Sequence, residues 1–239
     1  MKPKKARTAR EKLSLRQTIR REILAWFWVA LIFLLVNGAV GQARVIPSGS
    51  MQDTLLIGDH LIMSRIGYDA GIPFTNLHVP LWRNPKRQQI VIFRPVIRGE
   101  TSDVIKRVIG LPGETVDIRS GSIWINGARL AEKYTVGRTE PADPSQYRAG
   151  FENRANVFPY KVPENCYFVM GDNRENSLDS RYVGCIPREN IIGTPVLIYM
   201  SIDAPSGWDS GEIKERALAY LSALVHPSEI RWRRLFHIF

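Results

Sequence analysis

The sequence predicts a mainly β fold, an antiparallel β-sheet domain behind one N-terminal transmembrane helix. Three observations carry that reading. A dense apolar run at residues 23–40 follows a basic segment. From residue 44 to residue 201, short stretches rich in β-branched and aromatic residues alternate with Gly and Pro turn signals. The chain has 239 residues, 44% of them hydrophobic, enough to bury the core of one main domain with appendages.

Charge is concentrated at the two ends. The formal net charge is +10, which suggests a nucleic-acid partner until the charge is located. Residues 1–22 hold nine Lys and Arg against two Glu, and residues 227–239 hold three Arg against one Glu. The body between them is close to neutral. Basic ends on a neutral body fit contact with an anionic phospholipid bilayer and argue against nucleic acid as a partner.

The first 22 residues read as a basic cytoplasmic tail, and residues 23–40 as the anchor. Residues 23–36 (ILAWFWVALIFLLV) continue through Asn37, Gly38, Ala39 and Val40. At about 1.5 Å per residue this run reaches roughly 27 Å, close to the hydrocarbon thickness of a bilayer. Trp26, Phe27 and Trp28 sit where aromatic rings favour the interface, and the preceding Lys/Arg excess places the N-terminus inside and the body outside. A cleavable signal peptide is the competing reading, because Gly41 and Ala43 supply the small residues a cleavage site needs. The length of the basic and apolar stretches favours an uncleaved anchor over that reading and over a buried core helix.

Residues 41–205 read as the β-rich domain. Its strands are residues 59–68 (DHLIMSRIGY), 89–93 (QIVIF), 103–109 (DVIKRVI), 115–119 (TVDIR), 122–126 (SIWIN), 166–170 (CYFVM) and 191–201. Leu111-Pro112-Gly113-Glu114 fits a type II turn, with Pro and Gly at the two central positions. Ser120-Gly121 and Asn126-Gly127 fit hairpin turns. Residues 131–160 break the rhythm with polar, Pro-containing sequence and read as an insertion. In the tail, residues 206–239, a surface helix is predicted at 210–226 from Ile213, Ala217, Tyr220, Leu221 and Leu224. The closing IRWRRLFHIF reads as an edge strand, with contact to lipid headgroups as the alternative.

Cys166 and Cys185 fall in the exported body. An even count in an oxidising compartment permits one disulfide, and the spacing alone leaves its formation open. No Cys-x-x-Cys pair or Cys/His cluster occurs, and neither a metal nor a cofactor is expected.

The chemistry centres on residues 45–59 (VIPSGSMQDTLLIGD). A small-residue turn, Ser48-Gly49-Ser50, lies between apolar flanks and presents the Ser50 hydroxyl beside an apolar groove, the setting of a nucleophile. The sequence contains no Gly-x-Ser-x-Gly elbow, no Ser-x-x-Lys, no His-Glu-x-x-His and no phosphate-binding Gly loop. Of four histidines only His60 lies in a strongly patterned stretch, and it reads as a packed or exposed side chain rather than a base.

Lys106 is the better base. In DVIKRVIG it shares a strand face with Val104 and Val108, where loss of solvent disfavours the charged form. A base working near pH 8 needs its pKa lowered by about two units, worth about 3 kcal/mol. Arg107 points to the opposite face and adds repulsion. The competing reading of Lys106 is an edge lysine held in water to block strand pairing. A third stretch, residues 171–184 (GDNRENSLDSRYVG), has the Asp, Asn, Ser and Gly content of a self-hydrogen-bonded loop. Alone it reads as a surface turn; beside a Ser-Lys pair it reads as a clamp.

Three blocks, PSGSMQDTLLIGD, KRVIGLPGE and GDNRENSLDSRYVG, in this order behind an N-terminal anchor, resemble the bacterial type I signal peptidases over roughly residues 20–205. The resemblance implies a monomeric serine endopeptidase, single-pass in the bacterial inner membrane with its catalytic domain on the periplasmic face. Its substrates would be the signal peptides of exported preproteins, cut at Ala-x-Ala sites. Ser50 matches the nucleophile and Lys106 the general base, with the Ser48 hydroxyl and the Ser50 N–H as oxyanion donors. Ser177 matches the serine that positions the lysine amine; Asp179 and Arg181 match the supporting acid and base of the last block, with Asp172 beside them. Pockets for small side chains would involve Ile46, Pro47, Leu55, Leu61, Val104 and Ile105. The chain departs from the family's common pattern at Asp53, usually Pro, and at Gln88-Gln89, usually Gly-Asp. The alternatives are a catalytically silent membrane-bound β scaffold, a self-cleaving Ser-Lys peptidase of the repressor type, and an organellar inner-membrane relative.

Overall fold

The computed structural model describes residues 15–35, 41–71, 78–96, 102–141, 158–204, 220–223 and 225–239. Helix α1 (Leu15–Leu35) precedes strands β1 (Gly41–Val45), β2 (Asp59–Ser64), β3 (Asp69–Gly71), β4 (His78–Pro80), β5 (Ile90–Phe93), β6 (Val104–Gly110) and β7 (Thr115–Arg119). There follow β8 (Ser122–Ile125), β9 (Ala128–Arg129), β10 (Tyr160–Lys161) and β11 (Cys166–Met170). One helical turn, α2 (Ser180–Val183), leads to β12 (Ile186–Pro187), β13 (Ile191–Ser201) and finally β14 (His237–Ile238). The main sheet has the order β1-β2-β13-β5-β6-β11-β12, with β14 paired to β13. All its pairings are antiparallel. The mainly antiparallel β expectation is met, and the predicted strand at 59–68 stops at Ser64 because a turn from Arg65 to Tyr68 closes there, Tyr68 N–H to Arg65 C=O at 2.9 Å.

The central strand β5 explains why its sequence is apolar without alternation. All four of its residues are buried. Val91 and Phe93 join one core cluster with Val108, Val169 and Ile186, while Ile90 and Ile92 join a second with Ile46, Met51, Leu55 and Leu61. A strand covered on both faces loses the period-2 signature of a half-solvated one.

Strand β13 joins the two halves of the sheet. Its first residues pair with β5 and the rest with β2, and the register shifts once against β5 and twice against β2. Pro195 sits beside the first shift on β2, where the ladder is already interrupted and a missing N–H costs little. Gly193 lies where the halves meet; a Cβ there would run into the Ser64 carbonyl and the Met63 side chain.

The smaller sheet, β10-β7-β8-β9, hangs from β6 through Leu111-Pro112-Gly113-Glu114. Gly113 has φ +79°, as a type II turn requires, and Glu114 N–H bonds Leu111 C=O at 3.2 Å. At Ser120-Gly121 φ is 48° and 77°, and at Asn126-Gly127 it is 50° and 82°. Both central residues are left-handed in each turn, the geometry whose twist suits a tight hairpin.

Two expectations are revised at the chain ends. Helix α1 starts well before residue 23 and includes Arg16, Arg20, Arg21 and Glu22, so its apolar part, from Ile23 on, covers only about 20 Å. Among the described residues no helix is long and apolar enough to cross a membrane. Residues 36–40, the rest of the expected span, lie outside the described residues. The tail's predicted helix lies outside them over 210–219, and residues 220–223 are helical. IRWRRLFHIF yields a 3-10 turn, Trp232–Arg234, and the two-residue strand β14 against Leu197 and Ile198.

The insertion is anchored rather than loose over the part described. Val136 makes a bridge with Asn173, and Glu132, Tyr134 and Thr139 pack against the arginines of the main domain. Residues 142–157 lie outside the described residues. Cys166 and Cys185 form a disulfide with Cα atoms 5.7 Å apart, closing the loop between β11 and β12.

Candidate active site

Ser50 occupies one turn of 3-10 helix, Gly49–Met51, in the connection from β1 to β2. Ile46 and Met51 on either side are buried and fix the turn to the second core cluster. Residue 173, far away in sequence, fixes it from above. Asn173 N–H donates to the Ser50 carbonyl at 3.1 Å, and Asn173 Nδ2 donates to the Gly49 carbonyl at 3.2 Å. Both carbonyls flanking the hydroxyl are thereby held by one residue.

Strand β6 brings Lys106 to this turn. Its Nζ lies 2.7 Å from Ser50 Oγ and 3.2 Å from the Ile105 carbonyl, and the residue is only 4% exposed. Burial lowers its pKa from 10.5 to about 8, against the pull of Asp179 and Asp172 and with help from Arg181. A lysine that shares this environment spends a substantial fraction of its time neutral near pH 8, when its lone pair can accept a proton.

The loop after β11 supplies a second layer. Asp172 receives Arg107 Nε at 2.8 Å and Arg107 Nη2 at 2.5 Å, and it also accepts the Thr54 hydroxyl at 2.6 Å. The Arg107 guanidinium lies 3.8 Å from the Tyr134 ring centroid. The expected repulsion from Arg107 is therefore corrected: its charge is neutralised by a bidentate carboxylate, and the cation that depresses Lys106 is Arg181. Asp179 caps α2 through Arg181 N–H, receives Arg181 Nε at 2.9 Å and Nη2 at 3.0 Å, and accepts Gly171 N–H at 3.0 Å. Arg174, fully buried, spans from the Gly171 carbonyl to Glu132 and Thr139 of the insertion.

Ser177 departs from expectation. Among the described residues its buried Oγ has no hydrogen-bond partner, while Lys106 Nζ bonds Ser50 and Ile105. The Ser177 side chain instead packs over Gly171 beside the Ser50 carbonyl, where a Cβ on residue 171 would collide with both.

A cavity of about 420 Å³ opens at Ser50 and Lys106. Ile46, Pro47, Val104 and Ile105 line it, together with Ser48. Ser48 precedes the 3-10 turn and makes no capping hydrogen bond there. Leu55 and Leu61 do not line the cavity. Both are fully buried and pack under Ile46 in the second core cluster, so they support the wall instead of forming it. Met51, Ile92 and an Arg44–Asp103 ion pair also face it. His60 is elsewhere engaged, Nδ1 at 2.9 Å from the Gly58 carbonyl and Nε2 at 2.7 Å from the Tyr220 hydroxyl.

Sequence reasoning missed Asn173, Thr54, Arg174 and the Arg44–Asp103 pair. Asn173 and Arg174 stood inside a recognised loop, but nothing local separates a clamp asparagine from any turn asparagine. Thr54 and Arg44 act through partners from distant strands, which no spacing reveals.

Known proteins resemble the chain over most of the described domain. Residues 19–200 match the family described as "Signal peptidase, peptidase S26". The chain is 39% identical over 158 residues to "Probable signal peptidase I-2" of Synechocystis sp., covering 64% of this chain and 61% of that one. It is 37% identical over 179 residues to "Signal peptidase I" of Leptolyngbya laminosa, covering 72% and 75%. It is 33% identical over 206 residues to "Signal peptidase I" of Pseudomonas fluorescens, covering 76% and 72%. A match that runs from within α1 almost to the end of β13 takes in every strand of the site, and by it the chain belongs to the bacterial type I signal peptidases, serine endopeptidases of the S26 family.

Proposed function

We propose that the chain removes signal peptides with a Ser50–Lys106 dyad, tethered to the inner membrane by its N-terminal segment. The observation that carries the dyad is the 2.7 Å contact between a hydroxyl and an amine whose charge is disfavoured by burial. With Lys106 neutral, Nζ accepts the Oγ proton as Ser50 attacks the scissile carbonyl. The oxyanion forms against the Ser50 N–H and the Ser48 hydroxyl. Lys106 then gives the proton to the leaving amine, and a water that Lys106 deprotonates in turn hydrolyses the acyl-enzyme.

The substrate lies extended along the cavity, its alternate side chains directed at Ile46, Pro47, Val104 and Ile105. The apolar walls suit alanine at alternate positions, an Ala-x-Ala site. In support of the tether, Ile23, Trp26, Phe27, Trp28, Val29 and Ile32 of α1 are exposed, a cluster that water does not favour. The span runs from residue 23 to residue 40, with the nine Lys and Arg of residues 1–22 in the cytoplasm and the β domain on the periplasmic face. In this reading the enzyme works as a monomer.

The test is incubation of a purified preprotein with wild type and with Ser50→Ala in detergent, followed by sequencing of the new N-terminus. Cleavage after Ala-x-Ala by wild type alone is expected; equal processing by Ser50→Ala would sink the dyad. Ser48→Ala should remain active but slow. Loss of one oxyanion donor lowers kcat by about 10²- to 10³-fold, or about 2.7–4 kcal/mol, with KM little changed.

A further inference from the structure

We infer that Arg234, in the C-terminal tail beyond the stretch matched to the family, is a positioning residue for the nucleophile segment. The inference rests on the Ser50–Lys106 reading and adds to it a part of the chain that the three sequence blocks do not include. Arg234 Nη2 donates to the Thr54 carbonyl at 2.8 Å and to Asp59 Oδ2 at 2.6 Å, and Nε reaches Asp59 Oδ1 at 3.0 Å. Asp59 is fully buried at the start of β2. Its carboxylate also accepts the Leu56 N–H at 2.8 Å and the Ser201 hydroxyl at 2.6 Å. Three residues earlier along the tail, Arg231 Nη1 donates to the Ile57 carbonyl at 2.8 Å.

The connection from Ser50 to β2 is thus held at Thr54, Leu56, Ile57 and Asp59 by one buried carboxylate and two tail arginines. Thr54 is the joint. Its carbonyl is fixed by Arg234, while its hydroxyl bonds the same Asp172 that pairs with Arg107 on the lysine strand. Leu55 N–H bonds the Met51 carbonyl at 2.8 Å, so a shift at Thr54 passes directly to the turn that carries Ser50. Tail, nucleophile turn and lysine strand are one hydrogen-bonded chain. A nucleophile displaced by a fraction of an ångström from its base loses rate steeply, because the reacting geometry is set before the substrate arrives.

The experiment compares Arg234→Lys, Thr54→Val and wild type in preprotein cleavage, with thermal unfolding to score the fold and Ser50→Ala as the blank. Arg234→Lys keeps a positive charge for buried Asp59 but cannot hold Asp59 and Thr54 together. Thr54→Val keeps shape and removes the bridge to Asp172. Each should lower kcat about tenfold at a temperature where the protein is fully folded, with KM within twofold of wild type. A small acylating probe should label Ser50 more slowly in both, by a similar factor. A purely structural role would lower the unfolding temperature and leave kcat and labelling of the folded enzyme unchanged; that result, in both variants, overturns the inference. If wild type itself cleaves no better than Ser50→Ala, the dyad reading has failed instead.

Discussion

Replacing Lys106 with methionine should lower kcat at least a thousandfold and, at pH 7, make the fold more stable by about 3 kcal/mol. The two effects have one cause. Lys106 sits in a site that opposes its charge, with a pKa of about 8 against 10.5 in the open. Between those values the unfolded chain binds a proton that the native state does not, so stability rises with pH across that window. Below about pH 8 the native state carries the full cost of the buried ammonium. Methionine has nearly the same reach, fills the space and carries no charge, so the cost disappears together with the base. Unfolding in urea at pH 7 and at pH 10 measures this: the stabilisation should be about 3 kcal/mol at pH 7 and fall to about 1 kcal/mol at pH 10. Wild-type activity should rise with pH through about 8 and level off above it. A rate that climbs steadily to pH 10, or a Lys106→Met enzyme with a tenth of wild-type activity, would remove the amine from the mechanism.

Asp172→Ala should cost about 3–5 kcal/mol of stability, because it strands the Arg107 guanidinium in a largely buried site. Arg107 has a side-chain exposure of 10% and Asp172 of 0%, so water cannot replace the lost carboxylate. The Thr54 hydroxyl loses its acceptor in the same step. Adding Arg107→Met should restore most of the loss, since the penalty comes from the unpaired charge more than from the missing bond. Asp172 also favours the charged form of Lys106, so its removal should move the rise in activity to lower pH. Urea unfolding of both variants, with the pH profile of cleavage, checks the pair; an Arg107→Met addition that deepens the loss would show that the ion pair is not what Asp172 provides.

Much of the strand pattern was legible because strands advertise themselves locally. CYFVM, TVDIR and SIWIN stand between turns whose Gly and Asn residues must take left-handed backbone, and the structure starts and stops the strands within a residue or two of those signals. Positions around the site were legible to the same degree. Ser50 on a small-residue turn and Lys106 on an apolar strand face are local facts, and the contact between them required that β6 pack against that turn. The disulfide was open at the sequence level because two cysteines nineteen residues apart can meet or not, according to whether the loop between them folds back.

Other features were decided by tertiary contact alone. The resemblance put Leu55 and Leu61 in the pocket wall, yet the packing of the sheet places them in the core beneath it. Arg107 looked like a source of repulsion until Asp172 arrived from the far side of β11. Arg234 belongs to a tail beyond the stretch matched to the family, and it reaches the nucleophile segment only because β14 returns along β13 and Asp59 is buried beneath it. The physical reason is the range of each signal. Turn residues and side-chain alternation act over a few positions and are written in the chain, whereas the partner of a buried charge depends on which strands become neighbours. By itself the sequence determined a serine, a lysine, and a β scaffold to carry them. The packing of β6 against the turn of Ser50 decided that the amine loses its water and meets the hydroxyl.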